Sequence, residues 1–163
     1  MTDVYQELAE RIRDEMAELE RAIQRVLHAW SQVQQTPDEQ AYVDSVALNL
    51  HGFYSGLERL FELIARHVDR NLPSGDTWHR DLLEQMAEEM PGVRPAVIHQ
   101  TNAHALDEFR RFRHLVRNVY TFNLIPDKME PLTSALPGLW PQVRAEMLAF
   151  ADFLEALAQA NDA

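Results

Sequence analysis

The sequence contains no cysteine among its 163 residues, which excludes a disulfide framework, a zinc–thiolate site and thiol catalysis. Only five glycines occur, and long stretches lack the alternation of polar and apolar residues that is typical of strands. No stretch approaches the roughly 18 consecutive apolar residues of a membrane-spanning helix. The first 16 residues carry charges throughout and have no apolar signal core. We therefore expect a soluble, cytoplasmic, all-α protein that does not engage a membrane.

Lysine is nearly absent as well, because Lys128 is the single lysine among the 15 basic residues. The 26 acidic residues give a net charge of −11, which opposes broad electrostatic binding to nucleic acid. One stretch nevertheless concentrates four arginines within eight positions: Arg110, Arg111, Arg113 and Arg117. A local site for an anion is therefore compatible with an acidic chain.

Apolar residues at helical spacing predict long helices over residues 3–35, from Thr36 to about Arg70, over about 98–122 and over about 141–159. Thr36 is interpreted as the N-cap of the second helix, at the start of "TPDEQ". A short helix is expected in "WHRDLLEQMAEEM", and an irregular connection in "IPDKMEPLTSALPGLWP". Gly52 and Gly56, one turn apart, indicate a close helix crossing. The predicted fold is a single domain over 1–163, an antiparallel bundle of four main helices and a short one.

The arginine-rich helix has one packing face and one polar face. Arg113, Arg117 and Tyr120 are stacked on the polar face, and His114 is stacked on Asn118 one turn later. One interpretation is a solvated surface in which Arg117 pairs with an acid elsewhere. The other is a functional site, because these side chains bind phosphate, transfer protons near neutral pH and orient a hydroxyl.

The segment "FRHLVRNVY" resembles the signature helix of the HEPN superfamily, and specifically of HepT-like proteins of bacterial toxin–antitoxin pairs. That signature has an arginine, often followed by asparagine, then a histidine four to six residues from the arginine, and commonly a tyrosine two beyond. Arg113 and Tyr120 match the arginine and the tyrosine. Asn118 stands in the histidine place, while His114 stands where asparagine is often found. Further resemblance extends over "HGFYSGLERLFELIARHVDRNLPSGDTWHRDLLEQM", "VRP" and "PLTSALPGLWPQVRAEMLAFADFL".

The resemblance implies a HEPN-like bundle that acts as a homodimer, and a metal-independent RNA endonuclease that is the toxin of a type VII toxin–antitoxin system. It implies no cofactor, an RNA substrate, and a cognate minimal nucleotidyltransferase as the antitoxin, which attaches adenylate to the matching Tyr120. The site residues that it implies are Arg113, His114 and Asn118 for catalysis, with Arg110 and Arg117 binding phosphate. Because the histidine and asparagine are exchanged, either the site is rebuilt around His114 or cleavage is weakened or lost. Tyr120 is alternatively a tyrosine at the core boundary that hydrogen-bonds locally.

Two further acidic positions have open interpretations. Glu58 matches a glutamate of HepT-like proteins and is expected either to orient Arg113 or Arg117, or to be an exposed acid. Asp76 and His79 stand at the i, i+3 spacing of some metal ligands, but no second such pair accompanies them. We therefore expect no metal site, and interpret His79, with Trp78, as capping the short helix.

The alternative function is a non-catalytic helical module that binds a nucleotide or an acidic protein partner through its arginine face.

Overall fold

The computed structural model describes residues 3–118 and 126–162, with side chains for 3–116 and 126–161. This part of the chain forms helices without a strand, and only Met90 and Arg94 form an isolated bridge. The helices are α1 (Val4–Gln35), α2 (Gln40–Ile64), α3 (Trp78–Met86), α4 (Gln100–Asn118) and α5 (Pro126–Asp162). The predicted fold class, four main helices and a short one, is confirmed. None of the described helices combines the length and apolarity needed to cross a membrane.

The core lies between α1, α2 and α5, with α4 packed on α2 and α3 on both. Phe53 of α2 links three helices, because its fully buried ring meets two other rings edge to face. The ring centroids lie 5.7 Å from Phe109 of α4 and 5.6 Å from Trp140 of α5. This packing holds α2 and α4 side by side, and the candidate site lies along that seam.

Helices α1 and α2 approach each other closely at Gly56. A Cβ atom at this position would lie 2.9 Å from Cδ2 of Leu19, which is less than van der Waals contact. At Gly52 a Cβ atom would meet no atom within 4 Å. The predicted close crossing therefore depends on Gly56, and Gly52 faces open space.

The prediction that Thr36 begins the second helix is wrong. Thr36 ends α1 instead, where its backbone N–H and its hydroxyl both donate to the carbonyl of Gln32, at 2.8 and 3.1 Å. Pro37 explains the difference, since a residue that precedes proline is displaced from helical geometry. A tight turn follows, closed by the Glu39 N–H on the Thr36 carbonyl at 3.1 Å, and α2 then begins at Gln40.

The end of α2 is wider than an ordinary helix. After Ile64 the chain makes a π-helical turn over Ala65–Asp69, and Arg70 adopts a left-handed conformation with φ 55°. This places Asp69 against Arg94 in a fully buried bidentate pair, with N···O distances of 2.5 and 2.8 Å. The pair fastens the segment between α3 and α4 to the end of α2.

Helix α3 ends at Met86, earlier than predicted, and the Met86 carbonyl then accepts from the N–H groups of residues 97 and 98.

The prediction of an irregular connection before the last helix is also wrong, because α5 is one helix from Pro126 to Asp162. Pro131, Pro137 and Pro141 lie within it on the exposed side. There water can satisfy the carbonyls that lose their helical N–H partner. The opposite side carries a continuous buried stripe that holds the segment helical: Met129, Leu132, Leu136, Leu139, Trp140, Val143, Met147, Phe150 and Leu154.

Helix α4 presents Leu106, Phe109 and Phe112 to the core, as predicted, and Val116 is half-buried. The predicted helix continues to about residue 122, and residues 119–122 lie outside the described part of the chain.

Candidate functional site

The polar face of α4 borders a pocket of about 350 Å³. Its lining comes from the loop before α3, from α3 and from α4: Gly75, Asp76, Trp78, His79, Arg110, Arg113 and His114. Three of these positions, Arg110, Arg113 and His114, are site residues predicted from the sequence. The pocket lining therefore combines guanidinium groups, imidazoles, an indole ring and the carboxylate of Asp76.

Glu58 of α2 lies beneath this pocket and joins its two sides. The residue is only 2% exposed, and each carboxylate oxygen contacts one basic side chain. Oε1 accepts from Nη1 of Arg113 at 2.9 Å, and Oε2 lies 2.8 Å from Nδ1 of His79. A carboxylate at this depth requires such partners, because burying an unpaired charge is costly. The interpretation of Glu58 as an exposed acid is therefore wrong; it contacts Arg113, one of the two arginines expected.

Arg113 is held in one orientation by α2. Besides the bond to Glu58, its Nε donates to the hydroxyl of Ser55 at 2.8 Å. The side chain is 14% exposed, and Nη2 bonds to none of the described residues. The guanidinium group is thus a cation held in a fixed orientation at the side of the pocket.

His79 of α3 completes the cluster. An ionised carboxylate can only accept, so the short contact with Glu58 assigns a proton to Nδ1, and in the neutral ring Nε2 is then the acceptor. Nη1 of Arg113 lies 3.3 Å from Nδ1, and both nitrogens are donors that share Glu58. The ring also stacks on Trp78, with centroids 3.6 Å apart and planes inclined by 31°. We call Glu58, Arg113, His79, Ser55 and Trp78 the Glu58 cluster.

The interpretation of His79 as a cap of the short helix is wrong. Thr77 stands at the N-cap position of α3, and no side-chain capping hydrogen bond is found there among the described residues. His79 lies in the first turn of α3, and its ring instead contacts Glu58 of α2. Within the described residues no three side chains of the kinds that ligate metals converge.

Arg110 and Arg111 are paired within their own helix. Nε of Arg110 lies 2.7 Å from Oδ1 of Asp107, and Nε of Arg111 lies 2.9 Å from Oδ2 of the same carboxylate. Arg110 is the less exposed of the two, at 18% against 65%, and it alone lines the pocket. Its charge is shared with Asp107, so it supplements the cation of Arg113 at the pocket edge.

Tyr54 lies one turn before Glu58 and is fully buried. Its hydroxyl has no hydrogen-bond partner among the described residues. Burial raises the pKa of the Tyr54 phenol, and the negative charge of Glu58 raises it further. The phenol is therefore a neutral group behind the Glu58 cluster.

A second cavity, of about 470 Å³, lies along the other side of α4. Phe109, Phe112, Leu115 and Leu132 are among its lining residues, and charged side chains occur only as Glu108, Arg111 and Lys128. Its mostly apolar walls offer a phosphate fewer polar and basic side chains than the pocket above the Glu58 cluster does. We therefore place the candidate site at the Glu58 cluster.

The remaining predicted site residues are Arg117, Asn118 and Tyr120. Arg117 and Asn118 belong to the helix, but their side chains are outside the described residues, and Tyr120 lies wholly outside them. The structure thus brings Glu58, Arg113, Arg110 and His114 to one pocket. It adds His79, whose only sequence signal was its proximity to Trp78 and Asp76 in "DTWH".

The model of the HepT-like protein family matches residues 45–154, about two thirds of the chain, and this range includes every residue of the Glu58 cluster. The chain therefore belongs to the HepT-like family of the HEPN superfamily, as the resemblance of the arginine-rich helix predicted. No curated protein and no solved structure matches the chain.

Proposed function

We propose that this HepT-like protein is a metal-independent RNA endonuclease, the toxin of a type VII toxin–antitoxin pair. The observation that carries the proposal is the Glu58 cluster, in which a buried carboxylate fixes a guanidinium group and an imidazole beside one pocket. Family membership supports a HEPN-type module, and the cluster supplies groups that phosphodiester cleavage needs.

The proposed reaction uses the 2′-hydroxyl of RNA as the nucleophile. Its oxygen forms a bond to phosphorus while its proton passes to a neutral imidazole of the site. The bond from phosphorus to the 5′-oxygen breaks, that oxygen takes up a proton, and the products carry a 2′,3′-cyclic phosphate and a 5′-hydroxyl. Arg113 stabilises the charge that develops on the phosphate oxygens, with Arg110 and Arg117 binding neighbouring phosphates. The sequence predicts His114 as this imidazole, the pocket also holds the imidazole of His79, and Asn118 is proposed to orient the hydroxyl.

The active form is proposed to be a symmetric homodimer with residues 113–120 at or beside its two-fold axis. One polar face of a single helix is too sparse to surround a phosphate, whereas two facing copies form a cleft. Light scattering at micromolar concentration should give the mass of a dimer. A monomer at that concentration contradicts this part of the proposal.

Control is proposed to reside at Tyr120. A minimal nucleotidyltransferase would attach adenylate to this phenol, next to the arginines, and the added negative charge and bulk would block RNA. Co-expression with a neighbouring nucleotidyltransferase should add one or more AMP masses that all map to Tyr120. An unmodified protein beside an active partner, or modification that persists in Tyr120→Phe, contradicts this.

One observation favours the alternative of a non-catalytic module. Arg110 and Arg113 are both paired with acids of their own chain, so part of the positive charge is already neutralised. In that case the arginine face would dock a nucleotide or an acidic protein partner. Binding without RNA cleavage by the purified protein would favour this alternative.

The test combines cells and purified protein. Expression of the wild type should slow growth while RNA integrity falls, and the purified protein should cleave total cellular RNA in excess EDTA. Arg113→Ala should abolish both effects, with Arg113→Lys as the control that keeps the charge near Glu58. Intact RNA with the wild type, or cleavage lost on chelation and restored by a divalent ion, overturns the proposal.

A further inference from the structure

We propose that His79, oriented by Glu58, is the catalytic base that accepts the 2′-hydroxyl proton in this protein. This inference rests on the proposed ribonuclease function and assigns its proton transfer to α3, outside the arginine-rich helix. The α4 position at which the family signature has histidine is Asn118 here, and an amide does not transfer protons at neutral pH. The reaction therefore needs an imidazole from elsewhere.

The hydrogen bond to Glu58 prepares His79 for this step. With the proton on Nδ1, the lone pair lies on Nε2, which is the form that a general base requires. The two ring nitrogens point in nearly opposite directions, so Nε2 points away from the buried carboxylate. The side chain is 26% exposed and lines the pocket, so a substrate hydroxyl can reach it.

The positions of the cation and the base relative to each other also fit the reaction. Nη1 of Arg113 is 3.3 Å from the imidazole, and Glu58 binds both groups. In RNA the attacked phosphate and the attacking 2′-hydroxyl belong to the same nucleotide, so the groups that serve them must be neighbours. Contacts with Glu58 and Trp78 fix the ring before substrate binds, which lowers the cost of orienting it.

His114 is the competing histidine. It lines the same pocket but is exposed, and it lies one residue beyond Arg113 on the helix, about 100° further around its axis. His79 is the histidine bonded to the carboxylate that also holds Arg113. This difference makes His79 the base.

His79→Asn is the most informative substitution. An asparagine amide can replace the Nδ1 donor to Glu58, but it offers no base in place of Nε2. Cleavage of total cellular RNA in EDTA should fall roughly 10²–10⁴-fold, the usual contribution of general base catalysis. The matched His114→Asn variant should lose less than about tenfold, and urea unfolding of both variants should stay close to that of the wild type.

Chemical rescue distinguishes a catalytic role of His79 from a purely structural one. Added imidazole should restore cleavage to His79→Ala and have no effect on the wild type, whereas a variant that is inactive because it is misfolded should show no rescue. In ¹⁵N NMR spectra of the free protein, the His79 ring should carry its proton on Nδ1, and Glu58→Gln should shift the ring toward the other tautomer. Both readouts are independent of the amount of activity that remains.

The outcomes separate the two proposals. If the wild type cleaves and His79→Asn retains more than about a tenth of its rate, the assignment of His79 is wrong while the ribonuclease proposal stands. A hundredfold loss in His114→Asn alone assigns the base to His114. Absence of imidazole rescue in His79→Ala also counts against His79. No cleavage by the wild type overturns the ribonuclease function and this inference with it.

Discussion

Replacing Arg113 by alanine would leave the carboxylate of Glu58, which is 2% exposed, with His79 as its remaining partner among the described residues. Removing one member of a buried ion pair typically costs about 3–5 kcal/mol. Arg113 is 14% exposed at the pocket side and His79 stays in place, so we expect the lower end, about 3 kcal/mol. For a chain of this size that lowers Tm by roughly 6–12 °C.

The cost should depend on the charge of Glu58. In the Glu58→Gln background the same substitution removes the hydrogen bond to Ser55 and the side-chain packing, but leaves no buried carboxylate. We expect it then to cost about 1 kcal/mol. The coupling between the two positions is therefore predicted to be about 2 kcal/mol.

Urea unfolding at pH 7, followed by far-UV circular dichroism, measures all four members of this cycle. The slopes with denaturant must agree among the variants for the free energies to be compared. A coupling below about 0.5 kcal/mol would refute the Glu58 cluster as an energetic unit, because independent sites add within that margin. The same measurements show whether Arg113→Ala is folded under the conditions of the activity assay.

Three other substitutions test the packing. Tyr54→Phe removes a buried hydroxyl that has no partner among the described residues, and it should stabilise the protein by about 1 kcal/mol in the same urea assay; a loss of stability would reveal a partner. Because burial raises the folded-state pKa of Tyr54 above 10.0, ionisation of the phenol favours the unfolded chain, so the wild type should lose more stability than Tyr54→Phe above about pH 10. Gly52→Ala should stabilise by up to about 1 kcal/mol, since helix propensity improves in open space. Gly56→Ala should be less stable than Gly52→Ala by about 1–3 kcal/mol, because Leu19 must move; equal stability of the two variants would contradict the close crossing.

Much of the bundle could be predicted because apolar residues recur at helical spacing, as in the buried stripe of α4. The prediction of an irregular connection is wrong over 126–141 because proline is not always a helix breaker. Pro131, Pro137 and Pro141 are exposed, and the buried stripe on the opposite side of α5 outweighs their cost. Thr36 was misassigned because Pro37 ends one helix before the next begins.

The candidate site was predictable only in part. The stacking of residues on α4 follows from helix geometry, and the prediction for Glu58 follows from the family resemblance. The contact of Glu58 with His79 joins residues 21 positions apart on different helices. Helical periodicity relates positions within one helix, so it cannot predict a contact between side chains of two different helices. The contact of His79 with Glu58 therefore depends on how α2 and α3 pack together.

The chemistry of the RNA ends is the most direct measurement of the central claim. Purified protein incubated with total cellular RNA in excess EDTA should produce fragments that carry 2′,3′-cyclic phosphate and 5′-hydroxyl ends, and His79→Asn should suppress them. Intact RNA, or fragments with 3′-hydroxyl and 5′-phosphate ends that form only when a divalent ion is supplied, would contradict the account.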